Sequence, residues 1–136
     1  MVCPYCNKKS QVTNSRNRAK NTQVWRRRQC LACRKIWSTH EHIDMTTSHL
    51  VKGVNSRLEP FSRDILFLSI KDSLQHRKSS TNEATALTST VLALVLRQNQ
   101  AELSKSLIAQ ITHQVLANFD TTAAAVYAAK HGVASN

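Results

Sequence analysis

Beyond residue 60 the chain places its apolar residues with the period of an α-helix. Leu66, Ile70 and Leu74 recur at every fourth position, Ile65 and Phe67 widen the stripe, and Ser62 stands where an N-cap is needed. His76, Arg77 and Lys78 follow at the C-terminal end, where the helix dipole favours cations. Ser80 and Glu83 have capping-box spacing and open a second helix with Ala84, Leu87, Val91, Leu94 and Val95 on its buried side. A third, from about Ser104, turns Leu107, Ile108, Ile111, Val115 and Leu116 inward. Asp120 or Thr121 caps a last, alanine-rich helix that closes at Gly132.

Before residue 60 the period shortens. Leu50-Val51-Lys52 and Arg57-Leu58-Glu59 read as two short strands around a turn near Asn55-Ser56, and Pro60, lacking an N–H for the ladder, is expected to end the second. Residues 44–49 are polar and weakly patterned, a short connection rather than a flexible tether. Upstream, Trp25 and Trp37 occupy strand-like positions and are expected to form the small core of a β module. The fold class is therefore α+β, with a small β unit at 1–43, a linker at 44–49, and a hairpin followed by four helices at 50–133.

The chemistry of the first unit lies in Cys3-Pro4-Tyr5-Cys6 and Cys30-Leu31-Ala32-Cys33, which together hold all four cysteines of the 136-residue chain. Two CxxC turns supply four soft ligands, and zinc takes such a set as a closed tetrahedral shell. An iron–sulfur centre uses the same ligand type and stays open on that ground. Two disulfides fit less well, because no apolar signal segment precedes Cys3, and a reducing, cytoplasmic setting is expected. A redox CxxC would open a helix, whereas Asn7-Lys8-Lys9 and Arg34-Lys35 follow here. His40 and His42 lie near the module, but four cysteines already fill a zinc shell. A segment of this size buries too little apolar surface to fold unaided, so metal is expected to staple it.

Charge separates the two halves. The formal net charge is +11, yet residues 1–40 hold ten Lys and Arg with no Asp or Glu, and the remaining 96 residues carry nine basic against eight acidic side chains. With four thiolates on one zinc ion the first segment keeps about +8. Arg16, Arg18 and Lys20 form one basic group, and Trp25-Arg26-Arg27-Arg28 leads into the second CxxC. A metal-locked hairpin would present them on one rigid surface, where phosphate contacts release counterions and arginine forks suit a guanine edge. A polyanion, duplex DNA above all, is the expected partner. No apolar run is long enough to span a bilayer, and no membrane partner is expected.

These residues carry a resemblance. Cys3-Pro4-Tyr5-Cys6, Asn14-Ser15-Arg16, Trp25 through Cys33, and Ile36-Trp37-Ser38-Thr39-His40-Glu41 resemble, in order and spacing, the N-terminal zinc ribbon of the bacterial ribonucleotide reductase repressors, the NrdR family. That family writes the blocks as CPxC, DSR, RRRRxCxxC and RFTTYE. Trp25 replaces the first arginine of the run, Asn14 the aspartate, and Ile36, Trp37 and His40 stand where Arg, Phe and Tyr are usual. The resemblance implies DNA contacts by Arg16, Arg26, Arg27 and Arg28, with Arg18 beside them by charge. Residues 50–133 resemble the family's second half, an ATP-cone, through Val51-Lys52, Glu59-Pro60-Phe61 and Ser104.

The resemblance implies that ATP and dATP bind this second unit and bias its homo-oligomerisation. Lys52 would face phosphate, with Glu59 accepting from ribose or base and Arg57, Arg63 and Lys71 as supplements. The family's VxKRDG stretch reads Val51-Lys52-Gly53-Val54-Asn55-Ser56 here, so either Lys52 keeps the phosphate-facing place or Asn55-Ser56 takes the turn and shifts the lysine out of register. A family lysine falls at Ile65 and a final Tyr-Arg pair near His131-Gly132, which implies weaker or altered nucleotide binding. The expected function is a zinc-dependent repressor of ribonucleotide reductase genes. An RNA- or ribosome-associated ribbon whose helical unit only oligomerises is the alternative. An enzyme is not expected, since the chain has no catalytic spacing, no phosphate-cradling glycine loop and no open metal position.

Overall fold

The computed structural model describes residues 1–18, 22–53 and 55–133, so Lys20 and Val54 lie outside the described residues. The chain is α+β and divides into two compact units, Met1–Ile43 and Asp44–Asn136.

The first unit is one antiparallel sheet of β1 (Ser10–Arg18), β2 (Gln23–Cys30) and β3 (Ile36–His42), in that order. Ser10 lies opposite Cys30 and Arg18 opposite Gln23, with a bulge between Val12 and Asn14. On the other side Gln23 pairs with His42 and Gln29 with Ile36. Among the described residues of this unit only Cys3 and Cys30 are fully buried. The expected tryptophan core does not form. Trp25 faces His40 and Trp37 faces Arg28 across strand pairs three residues apart, so the two rings point to opposite sides of the sheet. Each is half-buried.

The second unit starts inside the expected linker. Asp44 accepts from Thr46 N–H and caps the single turn α1 (Met45–Ser48), and Met45 joins the core below. β4 (Leu50–Lys52) and β5 (Leu58–Pro60) form the expected hairpin, one residue later in its second strand. Its turn is closed by Gly53 N–H to Arg57 and Ser56 N–H to Gly53, with Ser56 left-handed at φ 58°. Pro60 stays in the strand opposite Leu50 because Leu50 donates the other way, to Ala101, so no ladder bond is required of the proline. β6 (Glu102–Ser104) was not foreseen; it adds to β4 in parallel and gives the order β5-β4-β6.

Four helices follow: α2 (Arg63–Ser73), α3 (Ser80–Leu96), α4 (Lys105–Phe119) and α5 (Thr121–His131). They pack as a ring, α2 on α3, α3 on α4, α4 on α5 and α5 back on α2. Ser62, Ser104 and Asp120 cap α2, α4 and α5 through their side chains, and Gly132 ends α5 at φ 63°. Ile70, Leu74, Val91, Leu103 and Leu116 are sealed in the centre. Ile65 points out instead, 70% exposed, while Phe67 packs against the core. The capping box at Ser80 and Glu83 is absent: Ser79 precedes α3 and donates its hydroxyl to Glu83.

Glu83 is held by Arg77, which reaches it through Nε and Nη2 and bonds Asp120 through Nη1, with its guanidinium over the Phe119 ring. Asp120 also pairs with His76 at 3.0 Å. One arginine thus ties the α2–α3 turn to the α4–α5 corner. The Ala123 amide and then His76 and Arg77 hold the Asp120 carboxyl well below the usual range, and Arg77 lowers Glu83.

Leu116→Ala should cost about 2–5 kcal/mol in urea unfolding, since it empties a sealed position. The two lowered carboxyls contribute stability that is complete at neutral pH and lost as pH falls below about 4 through their folded-state values. Arg77→Ala should therefore melt below the wild type at neutral pH and lose less on acidification; parallel curves through the acid range would show that the pair adds nothing.

Candidate metal centre and nucleic-acid face

Each CxxC is the first part of a tight knuckle closed the same way. Cys3 N–H bonds the Lys8 carbonyl and Cys30 N–H that of Lys35, and the residue after each second cysteine is left-handed, Asn7 at φ 56° and Arg34 at φ 61°. Leu31 N–H to Lys9 joins the two knuckles. Their four sulfurs lie within 4.8 Å of one another, with Cys3 Sγ 3.7 Å from Cys33 Sγ and Cys6 Sγ 3.5 Å from Cys30 Sγ. A tetrahedral shell with Zn–S of about 2.3 Å has edges of roughly 3.8 Å, so the donor set fits one zinc ion. In a multi-iron cluster the four cysteines are shared out over two or four irons, and sulfurs on different irons stand further apart than these do.

The amides around the sulfurs favour thiolate. Tyr5 N–H points at Cys3 Sγ, and the Ala32 and Cys33 amides at Cys30 Sγ. Burial alone would raise the Cys30 thiol, but these two amides and the Cys6 and Cys33 thiols bring it down to about 6. Cys33 receives a lowering amide from Lys35, yet burial and the other three thiols push it up to about 11. Cys30 ionises readily and Cys33 resists a second charge beside it, a demand that a divalent cation meets.

The arginines do not share one surface. Arg26 and Arg28 project from the same side of β2 as each other, opposite Thr39 and Trp37 of β3. Arg26 grips Glu41 through Nε at 2.8 Å and Nη2 at 3.0 Å, and Arg28 Nε donates to Thr39 Oγ1 at 3.1 Å. Hydrogen bonding to Arg26 lowers the Glu41 carboxyl. On this side Trp37 meets Tyr5 edge-on, and Lys35 sits 4.7 Å from the Tyr5 centroid. Arg16, Arg18 and Arg27 lie on the other side with Trp25. Arg18 stacks 5.8 Å above Trp25, and among the described residues the Arg16 and Arg27 guanidinium groups have no hydrogen-bond or ionic partner.

In the second unit a cavity of about 330 Å³ opens between the hairpin and the helices. Its walls are largely apolar, with Val51, Phe61, Ile65 and Ile108, and its polar groups include Glu59, Ser62, Lys105, Tyr127 and His131. Tyr127 and His131 stack at 4.2 Å. Of the residues expected to meet nucleotide, Glu59 lines this cavity, whereas Lys52, Arg57, Arg63 and Lys71 do not. Val51 and Glu59 pair on one side of the hairpin, so Lys52 projects from the other. Lys105 escaped the sequence reading. Its one signal was position, directly after the helix-capping Ser104.

Residues 1–41 match the family model described as transcriptional repressor NrdR-like, N-terminal domain. Over 124 residues, 90% of this chain, the sequence is 32% identical to the transcriptional repressor NrdR of Psychrobacter arcticus and covers 81% of that protein. It is 30% identical to the NrdR of Acinetobacter baylyi, covering 77% of it. It is 34% identical over 121 residues to that of Streptococcus gordonii, covering 76% of it.

Native mass measurement should find one zinc ion per chain, and Cys30→Ser should lose it. Because the sheet has no apolar core of its own, a chelator should abolish amide protection in β1–β3 and leave the helices protected. Protected strands after metal removal would contradict this.

Proposed function

Since this chain belongs to the NrdR family of transcriptional repressors, we propose that it represses ribonucleotide reductase genes by holding duplex DNA with its metal-locked sheet. In this reading the helical unit assembles copies of the chain in response to ATP and dATP. The role is regulatory and not enzymatic. The observation that carries the reading is charge placement: residues 1–40 hold ten cationic side chains and no carboxylate, and five of the ten, all arginines, stand on strands beside the four-cysteine cluster. Each phosphate contact would release counterions and make affinity fall steeply with salt. One small sheet buries too little against DNA for tight binding, so assembly of several on one oligomer is what would give useful affinity.

The nucleotide part rests on the cavity beside β4 and β5. Its apolar wall suits a base, Glu59 and Ser62 can meet ribose hydroxyls, and Lys105 offers a cation for phosphate. A single lysine offers less than a triphosphate ordinarily receives, and weak binding follows. Nucleotide acts as a switch only if ATP and dATP favour different assemblies.

Native mass spectra without nucleotide, with ATP and with dATP should differ in assembly size, and one assembly in all three would remove the nucleotide response. In gel shifts, duplex from a ribonucleotide reductase promoter should be bound in preference to single-stranded RNA. The reverse preference would favour an RNA-binding ribbon instead.

A further inference from the structure

The two sides of the sheet in the first unit differ in what their arginines already hold. On one side Arg26 is bound by both oxygens of Glu41, Arg28 donates to Thr39 beside that carboxylate, and Trp37 packs on Tyr5. A phosphate approaching there meets a cation already neutralised and an exposed anion next to it. On the other side Trp25 is flanked by Arg16 on β1 and His40 on β3, with Arg27 two residues along its own strand. Arg16, Arg18, Arg27, His40 and His42 are exposed there, and no carboxylate lies on that side among the described residues of the three strands.

Resting on the DNA-binding reading above, we propose that duplex DNA is held by the side that carries Arg16, Trp25 and Arg27, and that the side of Arg26 and Glu41 is structural. Charge complementarity selects the occupant, since unpaired guanidinium groups around an amphipathic ring suit a polyanion. Dimensions agree. The row from Gln23 to Arg27 runs about 13 Å along the strand, close to the ~12 Å width of a major groove. Asn14 lies opposite Arg27 on this side, and its amide has the donor and acceptor pair that reads adenine. The five arginines singled out by sequence thus fall into two jobs. Three meet the partner; Arg26 and Arg28 fasten β2 to β3.

The test compares two double variants of the full, zinc-loaded chain by fluorescence anisotropy on labelled promoter duplex across a salt series. Arg16→Ala with Arg27→Ala should lose at least about tenfold in affinity and flatten the log–log salt slope by roughly two. Arg26→Gln with Arg28→Gln, checked for one zinc per chain, should keep the wild-type slope. A second readout does not depend on these variants folding. In Trp37→Phe the remaining Trp25 emission should change on adding duplex, while in Trp25→Phe the emission of Trp37 should stay constant. Loss of slope only in the Arg26 and Arg28 pair, or a response only from Trp37, would overturn the assignment while leaving DNA binding in place. No duplex binding by the wild type would overturn both readings, as would preference for single-stranded RNA.

Discussion

The first unit depends on four sulfur atoms drawn to one point. The strands are mostly polar and their tryptophans only half-buried, so no sealed apolar core pulls β1, β2 and β3 together, and the fully buried side chains among the described residues of this unit are Cys3 and Cys30. The metal site takes the place of a core. Because the knuckles sit at the start of β1 and at the β2–β3 turn, fixing their separation also fixes register. Ser10 must lie opposite Cys30, and the bulge between Val12 and Asn14 then shifts β1 by one residue, bringing Asn14 opposite Arg27 and Arg16 opposite Trp25. The sorting of arginines between two sides is thus a consequence of where the cysteines and the bulge stand.

Arginine performs two kinds of work in this chain, told apart by what its guanidinium touches. Arg77 is wrapped by Glu83, Asp120 and the Phe119 ring, and it fastens loops that the helical core does not reach. Arg26 does the same on a smaller scale with Glu41. Both are planar forks meeting carboxylates, the geometry in which arginine is least replaceable by lysine. Among the described residues Arg16 and Arg27 have no such partner; both are exposed, contribute little to stability and retain their capacity for an external anion. A local carboxylate, here Glu41 just beyond the cation-only stretch, decides which role an arginine takes.

Much of this was legible in the chain. The CxxC pairs announced the metal shell, and helix periodicity located α2 to α5 with most of their buried residues. The failures share a cause, which is that partners distant in sequence leave no local mark. β6 is three residues long and exists because β4 has an open edge beside it. Met45 looks like part of a polar connection until the core it enters is known. Glu83 has capping-box spacing, but Arg77 outcompetes a neutral amide for its carboxylate. Ile65 continues the α2 stripe by periodicity and yet faces outward at the cavity mouth. The alternation that separates Arg26 from Arg27 was available in principle, since neighbours in any strand point to opposite sides; pooling the basic residues concealed it.

The cavity in the second unit poses the complementary problem. Its apolar wall can hold a flat ring without help, but a polyphosphate requires positive potential, and side chains supply little: Lys105 lines the cavity, with Glu59 nearby partly cancelling it. Backbone adds to that lysine. Lys105 is the first residue of α4, so its charge and the partial positive charge of the helix start fall in the same place. Gly53 is a neighbour of this lysine: a Cβ there would stand in ordinary contact with the Lys105 ammonium, 3.4 Å away. In the proposed nucleotide reading, a cation at a helix start would let one lysine do part of what several do elsewhere, and phosphate affinity would depend on how Gly53 sits against the start of α4. Any discrimination between ATP and dATP would then fall to the polar groups deeper in the wall, since the two ligands present the same phosphates and differ at one ribose hydroxyl.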